Sequence, residues 1–200
     1  MTSDADKIIG LYERHAADFD KERGKNLFER SWLDLFLSRL DGRRVLDLGC
    51  GSGEPIAAYL IGRDCAMTGV DSSAPMIAMC RTRFPGHAWH VADMRALGLG
   101  ETFDGLIAWD SFFHLTREDQ RAMFAVFGAH AAPGAVLMFT SGPADGEALG
   151  TMWGETAYHA SLAPEEYRTL LAGQGFEVVA HTTEDPACGG HTVWLAKRGR

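Results

Sequence analysis

Val45-Leu46-Asp47-Leu48-Gly49-Cys50-Gly51-Ser52-Gly53 is the stretch whose reading decides the fold. Its first four residues read as a buried strand. That strand runs straight into a glycine-rich turn, and a helix-like stretch, Pro55 to Ile61, follows. Glycines at alternate positions give the backbone dihedrals closed to other residues and leave no side chain between backbone and ligand. Amides at a helix start face the space above the strand and welcome polar or anionic groups. The stretch therefore predicts a nucleotide-like cofactor lying across the first strand–turn–helix of an α/β domain.

Working outward, the chain alternates strands and helices. Strand two is read at Met67 to Val70 and ends in Asp71; Ser72-Ser73-Ala74-Pro75 opens its helix, with serine as cap and proline in the first turn. Strand three, Ala88 to Val91, ends in Ala92-Asp93-Met94. Strand four, Phe103 to Trp109, ends in Asp110. Thr116-Arg117-Glu118-Asp119 resembles a capping box for a helix through Ala129. Strand five is read at Ala135 to Phe139, followed by a long glycine-containing loop from Thr140 to Ala160. A helix from Pro164 to Ala172 leads to strand six, Phe176 to His181, and strand seven, Thr192 to Ala196. Too few residues join these last two for a parallel crossover, so they are read as antiparallel. The expected fold is a mostly parallel α/β sheet with helices on both faces, closed by an antiparallel hairpin.

Residues Asp4 to Leu40 read as helical, with apolar positions at helical spacing. This prelude either covers one edge of the sheet or forms a lid over the cofactor, with Tyr12, Arg23 and Trp32 as candidates to face it. The chain is read as one domain, residues 1–200, divided into a helical cover, 1–42, and an α/β core, 43–200.

Composition narrows the function. With 46% hydrophobic and 23% charged residues the chain is an ordinary globular one. A formal net charge of -8 argues against nucleic acid as a partner, because phosphate binding needs clustered Lys and Arg. The four cysteines, Cys50, Cys65, Cys80 and Cys188, form no CxxC pair. The N-terminus is too polar for a signal peptide, and no apolar run approaches a membrane span. A cytoplasmic protein with reduced thiols and no membrane partner is expected.

The cofactor is decided by the strand ends. The nicotinamide fingerprint GxGxxG fails, since its sixth position is Glu54 counted from Gly49 and Ile56 counted from Gly51. What stands there is DxGxGxG, Asp47 through Gly53. Asp71, about 20 residues beyond the turn, can accept hydrogen bonds from both ribose hydroxyls. Asp93 can accept one from an adenine amino group; Met94 offers a backbone amide to the ring and Met76 an apolar face. Strand-end aspartates also cap helices, but three of them in order at successive strand ends make coincidence a poor account.

With VLDLGCGSG, TGVDSS, VADM, FDGLIAWDSFFHL and PGAVLMFTSG in hand, the chain resembles a class I (Rossmann-like) S-adenosylmethionine-dependent methyltransferase of the small-molecule type. The resemblance runs over nearly the whole chain. It implies strand order 3-2-1-4-5-7-6 with strand seven antiparallel. It also implies a cofactor site drawn from Tyr12, Trp32, Asp47, Gly49, Cys50, Gly51, Gly53, Asp71, Ser72, Met76, Asp93, Met94, Trp109 and Asp110. Within that site Gly49 and Gly51 would approach the methionine part of the cofactor, and Trp109 and Asp110 its amino group and sulfonium. The partner would be a small-molecule methyl acceptor and the protein a monomer or homodimer. A nicotinamide oxidoreductase and a non-catalytic cofactor-binding protein of the same fold are the alternatives.

Methyl transfer from a sulfonium is an in-line displacement in which alignment does most of the work. A base is needed only if the acceptor must lose a proton. Asn or Asp followed by Pro-Pro, the resemblance's mark of base amino-methylation, is absent after strand four, as is a Pro-Cys nucleophile. Thr140-Ser141 is a poor source of metal ligands, so no metal is expected. The acceptor is expected among Phe112, Phe113, His114, Trp153, Tyr158, His159 and His191, with His114 as the candidate base or else a structural histidine, and His159 and His191 behind it.

Overall fold

The computed structural model describes residues 4–200. Seven strands form one sheet in the order β3-β2-β1-β4-β5-β9-β8. These are β1 (Arg44–Leu48), β2 (Ala66–Asp71), β3 (Ala88–Val91), β4 (Phe103–Ala108), β5 (Ala131–Ser141), β8 (Phe176–Asp185) and β9 (His191–Arg198). The first five run parallel, and β9 pairs antiparallel with both β5 and β8. This is the order implied by the sequence, with β8 and β9 as its strands six and seven.

Alternation along the strands divides the core into two layers. Val45, Met67, Ile107 and Met138 point to one face, where they meet α3 (Arg30–Arg39), α4 (Ile56–Ile61) and α5 (Ala74–Arg83). Leu46, Leu48, Leu106 and Leu137 point to the other face, against α6 (Arg117–His130) and α7 (Pro164–Gly173). Strands buried on both faces read as near-continuous apolar runs, as β1 does. The helix starts behave as their sequences predict. The Ser73 side chain accepts from the Met76 amide, and that of Thr116 from Asp119.

Two parts of the sequence reading need correction. The segment expected as a loop from Thr140 to Ala160 contains an antiparallel hairpin, β6 (Gly146–Met152) and β7 (Glu155–Ser161). Met152 pairs with Glu155 across Trp153 and Gly154, both at positive φ (50° and 77°). A two-residue turn with both centres left-handed matches the twist of a hairpin, and here a tryptophan occupies the first centre. Nearly all of β6 is exposed, so its sequence shows no inside–outside alternation. The helices between residues 4 and 42 also divide between two places. The first two helices, α1 (Asp4–Arg14) and α2 (Ala16–Glu22), lie over the carboxyl edge of the sheet, where Ala5, Ile8 and Leu11 pack on Ala157, Tyr158 and Ala160 of β7. The third, α3, packs Trp32, Leu33 and Phe36 into the sheet core. Among the described residues no helix is long and apolar enough to cross a membrane.

Candidate active site

A cavity of about 330 Å3 lies at the carboxyl ends of β1, β2, β3 and β4, roofed by α1 and α2. In an open α/β sheet this edge, where the strand order reverses between β1 and β4, is where ligands bind. The glycine turn forms its floor. Gly49 has φ 77°, and a Cβ there would lie 2.2 Å from the Ser111 Cβ, so only glycine fits. Ser111 in turn donates through Oγ to the Leu48 carbonyl at 2.7 Å, fixing the loop after β4 against the turn.

The strand-end carboxylates differ in environment. Asp71 accepts from the Gly51 amide through Oδ2 at 2.9 Å and from the Ser73 amide through Oδ1 at 2.8 Å. It thereby ties the glycine turn to the start of α5, while burial raises its pKa. Asp47 is buried, and its pKa is pushed up to about 7 by burial and by the neighbouring charge of Asp71. Asp93 is gripped by Arg95, whose Nε lies 3.0 Å from both carboxylate oxygens and whose Nη2 lies 2.6 Å from Oδ2. Burial works to raise the Asp93 pKa, and the Arg95 hydrogen bonds outweigh it and hold it low.

At the other end, Asp110 (φ 49°) receives the Thr140 hydroxyl on Oδ1 and faces His191, whose Nε2 is 3.0 Å from Oδ1. His191 Nδ1 is 2.8 Å from the Cys188 carbonyl. A carbonyl and a carboxylate both only accept, so the ring donates from both nitrogens and is an imidazolium. The Asp110 hydrogen bond raises its pKa accordingly. It is stacked between Phe28 and Trp109, at 5.2 and 5.6 Å.

His114 is the opposite case. Its Nδ1 is 2.8 Å from the Tyr158 carbonyl and therefore carries the proton. Its Nε2 then accepts from the Tyr12 hydroxyl at 3.0 Å. Burial lowers its pKa to about 4. Burial, Asp110 and Asp71 raise that of Tyr12, so its phenol keeps its proton. Both nitrogens of His114 are engaged within the protein, and the ring is a weak base. The expectation that His114 takes a proton from the acceptor does not fit this arrangement.

Of the residues expected from sequence, Tyr12, Asp47, Gly49, Cys50, Gly51, Asp71, Ser72 and Met76 line the cavity, as do Asp93, Met94, Trp109, Asp110 and His114. Two do not. Trp32 sits in the core with its Nε1 donating to Asp185 Oδ2 at 2.8 Å, because the apolar stripe of α3 faces the sheet rather than the cofactor edge. Gly53 (φ 81°) faces α5, where a Cβ would lie 3.0 Å from the Phe84 ring. Of the expected acceptor wall, Phe113, His159 and His191 line the cavity. Phe112 is buried among Phe124, Phe127 and Phe139. Trp153 stacks on His15 and donates to Glu22, while Tyr158 packs against α1. Sequence reasoning passed over Arg95, Phe19 and Met152. The Asp93-Met94-Arg95 spacing was the one available signal, since two residues suffice for an arginine to fold back on a strand-end carboxylate.

Two observations test the cavity for a cofactor. Trp109 lines the cavity, and its buried Nε1–H has no hydrogen-bond partner among the described residues. Such a group costs about 1–3 kcal/mol unless a ligand accepts from it. Two buried carboxylates, Asp47 and Asp71, crowd the glycine turn, an arrangement that a cationic ligand group relieves. A molecule with a carboxylate, an ammonium and a sulfonium at one end and a ribose and adenine at the other fits both. The fold is that of the class I, Rossmann-like S-adenosylmethionine-dependent methyltransferases.

Residues 45–134 match the family described as a methyltransferase domain. The chain is 33% identical over 124 residues to trans-aconitate 2-methyltransferase of Rhodopseudomonas palustris, covering 60% of this chain and 45% of that protein. It is 31% identical over 139 residues to a malonyl-[acyl-carrier protein] O-methyltransferase of Salmonella typhimurium, covering 68% and 50%. The chain thus spans about half the length of these curated relatives. In fold it is similar to an amino pentose methyltransferase from Micromonospora echinaspora solved with S-adenosylmethionine (TM-score 0.71, 22% identity, 92% of this chain and 96% of that one). It is also similar to magnesium protoporphyrin IX methyltransferase from Synechocystis PCC 6803 (TM-score 0.74, 17% identity, 100% and 99%).

Proposed function

We propose that the protein transfers the methyl group of S-adenosylmethionine to a small-molecule acceptor. The observation that carries this is the single cavity that holds Asp93, Asp71, Asp47 and Trp109 along four neighbouring strand ends. Asp71, held in place by the Gly51 and Ser73 amides, would receive the ribose hydroxyls. Asp93 and Met94 would border the adenine. Asp47, Gly49, Trp109 and Asp110 would border the methionine end. When bound, the cofactor supplies a methyl carbon activated by the positive sulfur. The protein's part is to orient the donor, exclude water beneath α1 and α2, and present the acceptor in line. Relatives named for small or carrier-borne acceptors support the acceptor class.

Calorimetric titration with S-adenosylhomocysteine tests the reading. Saturable binding at micromolar ligand is expected, with a loss of at least tenfold in Asp71→Ala. A folded protein that takes up no ligand at millimolar concentration overturns it.

A further inference from the structure

A second cavity, of about 380 Å3, adjoins the first. It is bounded by the end of β5 and the following turn (Ser141, Gly142, Ala144), by Ala148 of β6 and by Ala160 of β7. The two cavities have Phe113 and His159 in common. Those rings lie 5.2 Å apart, and His114 lies 4.8 Å from each. The second cavity therefore sets the rings of Phe113 and His159 among small residues, Gly142, Ala144, Ala148 and Ala160. Aromatic rings beside small residues can receive a flat ring in stacked or edge-on contact.

Apart from His159, its polar side chains are already paired. Ser141 Oγ donates to the Gly142 carbonyl and accepts from Trp194 Nε1. Ser161 Oγ donates to the Ala160 carbonyl and accepts from the Gly142 amide. Glu147 on the rim is paired with Arg117 at 3.4 Å, and Arg117 is also paired with Asp145. Among the described residues no unpaired charge lines this cavity to neutralise a charged ligand.

The histidines near the donor cavity differ in what they have left to offer. His114 and His191 have both ring nitrogens engaged. His159 is half-buried, and the Ala157 carbonyl acts on its ring to raise the pKa, less strongly than burial lowers it. No other hydrogen bond from the described residues reaches the ring. Burial lowers its pKa, and the ring stands where the two cavities meet.

We infer that the second cavity is the acceptor site, that it takes an uncharged, flat aromatic alcohol of the phenol class, and that His159 is the catalytic residue that removes the hydroxyl proton. The inference rests on the methyltransferase reading. The phenol oxygen forms a bond to the methyl carbon as the sulfur–methyl bond breaks, with the electron pair of that bond left on sulfur. The hydroxyl proton passes to the free nitrogen of His159 and then to solvent. Ala148 pairs with His159 across the hairpin, so its side chain stands beside the ring at the cavity mouth.

Two measurements test this. Protein saturated with S-adenosylhomocysteine is titrated with 4-methylphenol while backbone amide signals are followed by NMR. Shifts centred on Phe113, Gly142, Ala148 and Ala160 are expected, and they should vanish in Ala148→Phe while S-adenosylhomocysteine still binds. Shifts elsewhere, or none, overturn the acceptor site; loss of S-adenosylhomocysteine binding in the unaltered protein overturns the methyltransferase reading instead. Transfer of labelled methyl is then compared for 4-methylphenol, which titrates near ~10 as tyrosine does, and 4-nitrophenol, already largely ionised at about pH 8. His159→Gln should lose ~100-fold on 4-methylphenol, the scale of general-base catalysis, and only a few-fold on 4-nitrophenol. Equal losses on both phenols overturn the role of His159. Transfer to neither phenol by the unaltered protein, or to amines or carboxylic acids in their place, overturns the substrate class.

Discussion

Asp47→Asn should make the free protein more stable and its cofactor binding worse. The side chain is isosteric but cannot ionise. In the native protein the Asp47 carboxyl has its pKa raised from 3.8 to about 7, by burial and then by Asp71. An acid whose native pKa lies above its unfolded value binds protons more tightly when folded. Its contribution to stability is therefore full below about pH 4 and is lost as pH rises to about 7. About three pH units at ~1.4 kcal/mol each give ~4 kcal/mol withheld from the native state at pH 8. Asparagine withholds nothing, so the variant should gain up to ~4 kcal/mol at pH 8 and much less at pH 5, read by urea unfolding at the two pH values. Binding should show the complementary behaviour. A ligand ammonium favours the ionised carboxylate, which is half formed at pH 7, so S-adenosylhomocysteine should expel about half a proton there. Its affinity should rise with pH below 7 and flatten above. Calorimetry in two buffers of different ionisation heat counts that proton, and Asp47→Asn should release none. A variant less stable than its parent at pH 8, or one whose binding keeps the same pH slope, would refute the reasoning.

Arg83 reaches both oxygens of Asp20 at 2.7 Å and the Ser52 carbonyl at 3.2 Å, joining α2, α5 and the glycine turn. Arg83→Met should weaken S-adenosylhomocysteine binding roughly five- to tenfold, equal to about 1–1.4 kcal/mol; calorimetric affinity within twofold of the parent would show that the roof needs no such anchor. Trp32→Phe removes the bond to Asp185 outside the cavity. It should lower stability by about 1 kcal/mol in urea unfolding and leave S-adenosylhomocysteine affinity unchanged.

The donor half of the site was legible because each element there announces itself twice. Asp47, Asp71 and Asp93 each follow a short apolar run and stand within two residues of a glycine, a serine or a helical start. A βα repeat brings successive strand ends to one edge whatever the details of packing. The glycine turn was legible for a steric reason, since Gly49 and Gly51 both hold positive φ. What escaped was set by tertiary contact. The stripe on α3 said that Trp32 is buried but not against what, and the sheet claimed it. The hairpin escaped because β6 is exposed along nearly its whole length and its turn, Trp153-Gly154, lacks the asparagine or aspartate that usually marks one. The protonation of His114 and His191 was out of reach, because it depends on the Tyr158 carbonyl and the Asp110 carboxylate, which sequence does not bring near them.

The hairpin has one more consequence. It occupies only residues 146–161, between the last parallel strand and α7, and forms a two-stranded sheet of its own beside the main one. The aspartates that would hold the donor all lie before residue 111. Substitutions that reshape Ala148, His159 or the turn after β5 can therefore accumulate without disturbing the glycine turn or the strand ends. The donor residues and the hairpin thus lie in separate stretches of the chain, and the exposed strand β6 can be altered without touching a strand end of the main sheet that lines the donor cavity.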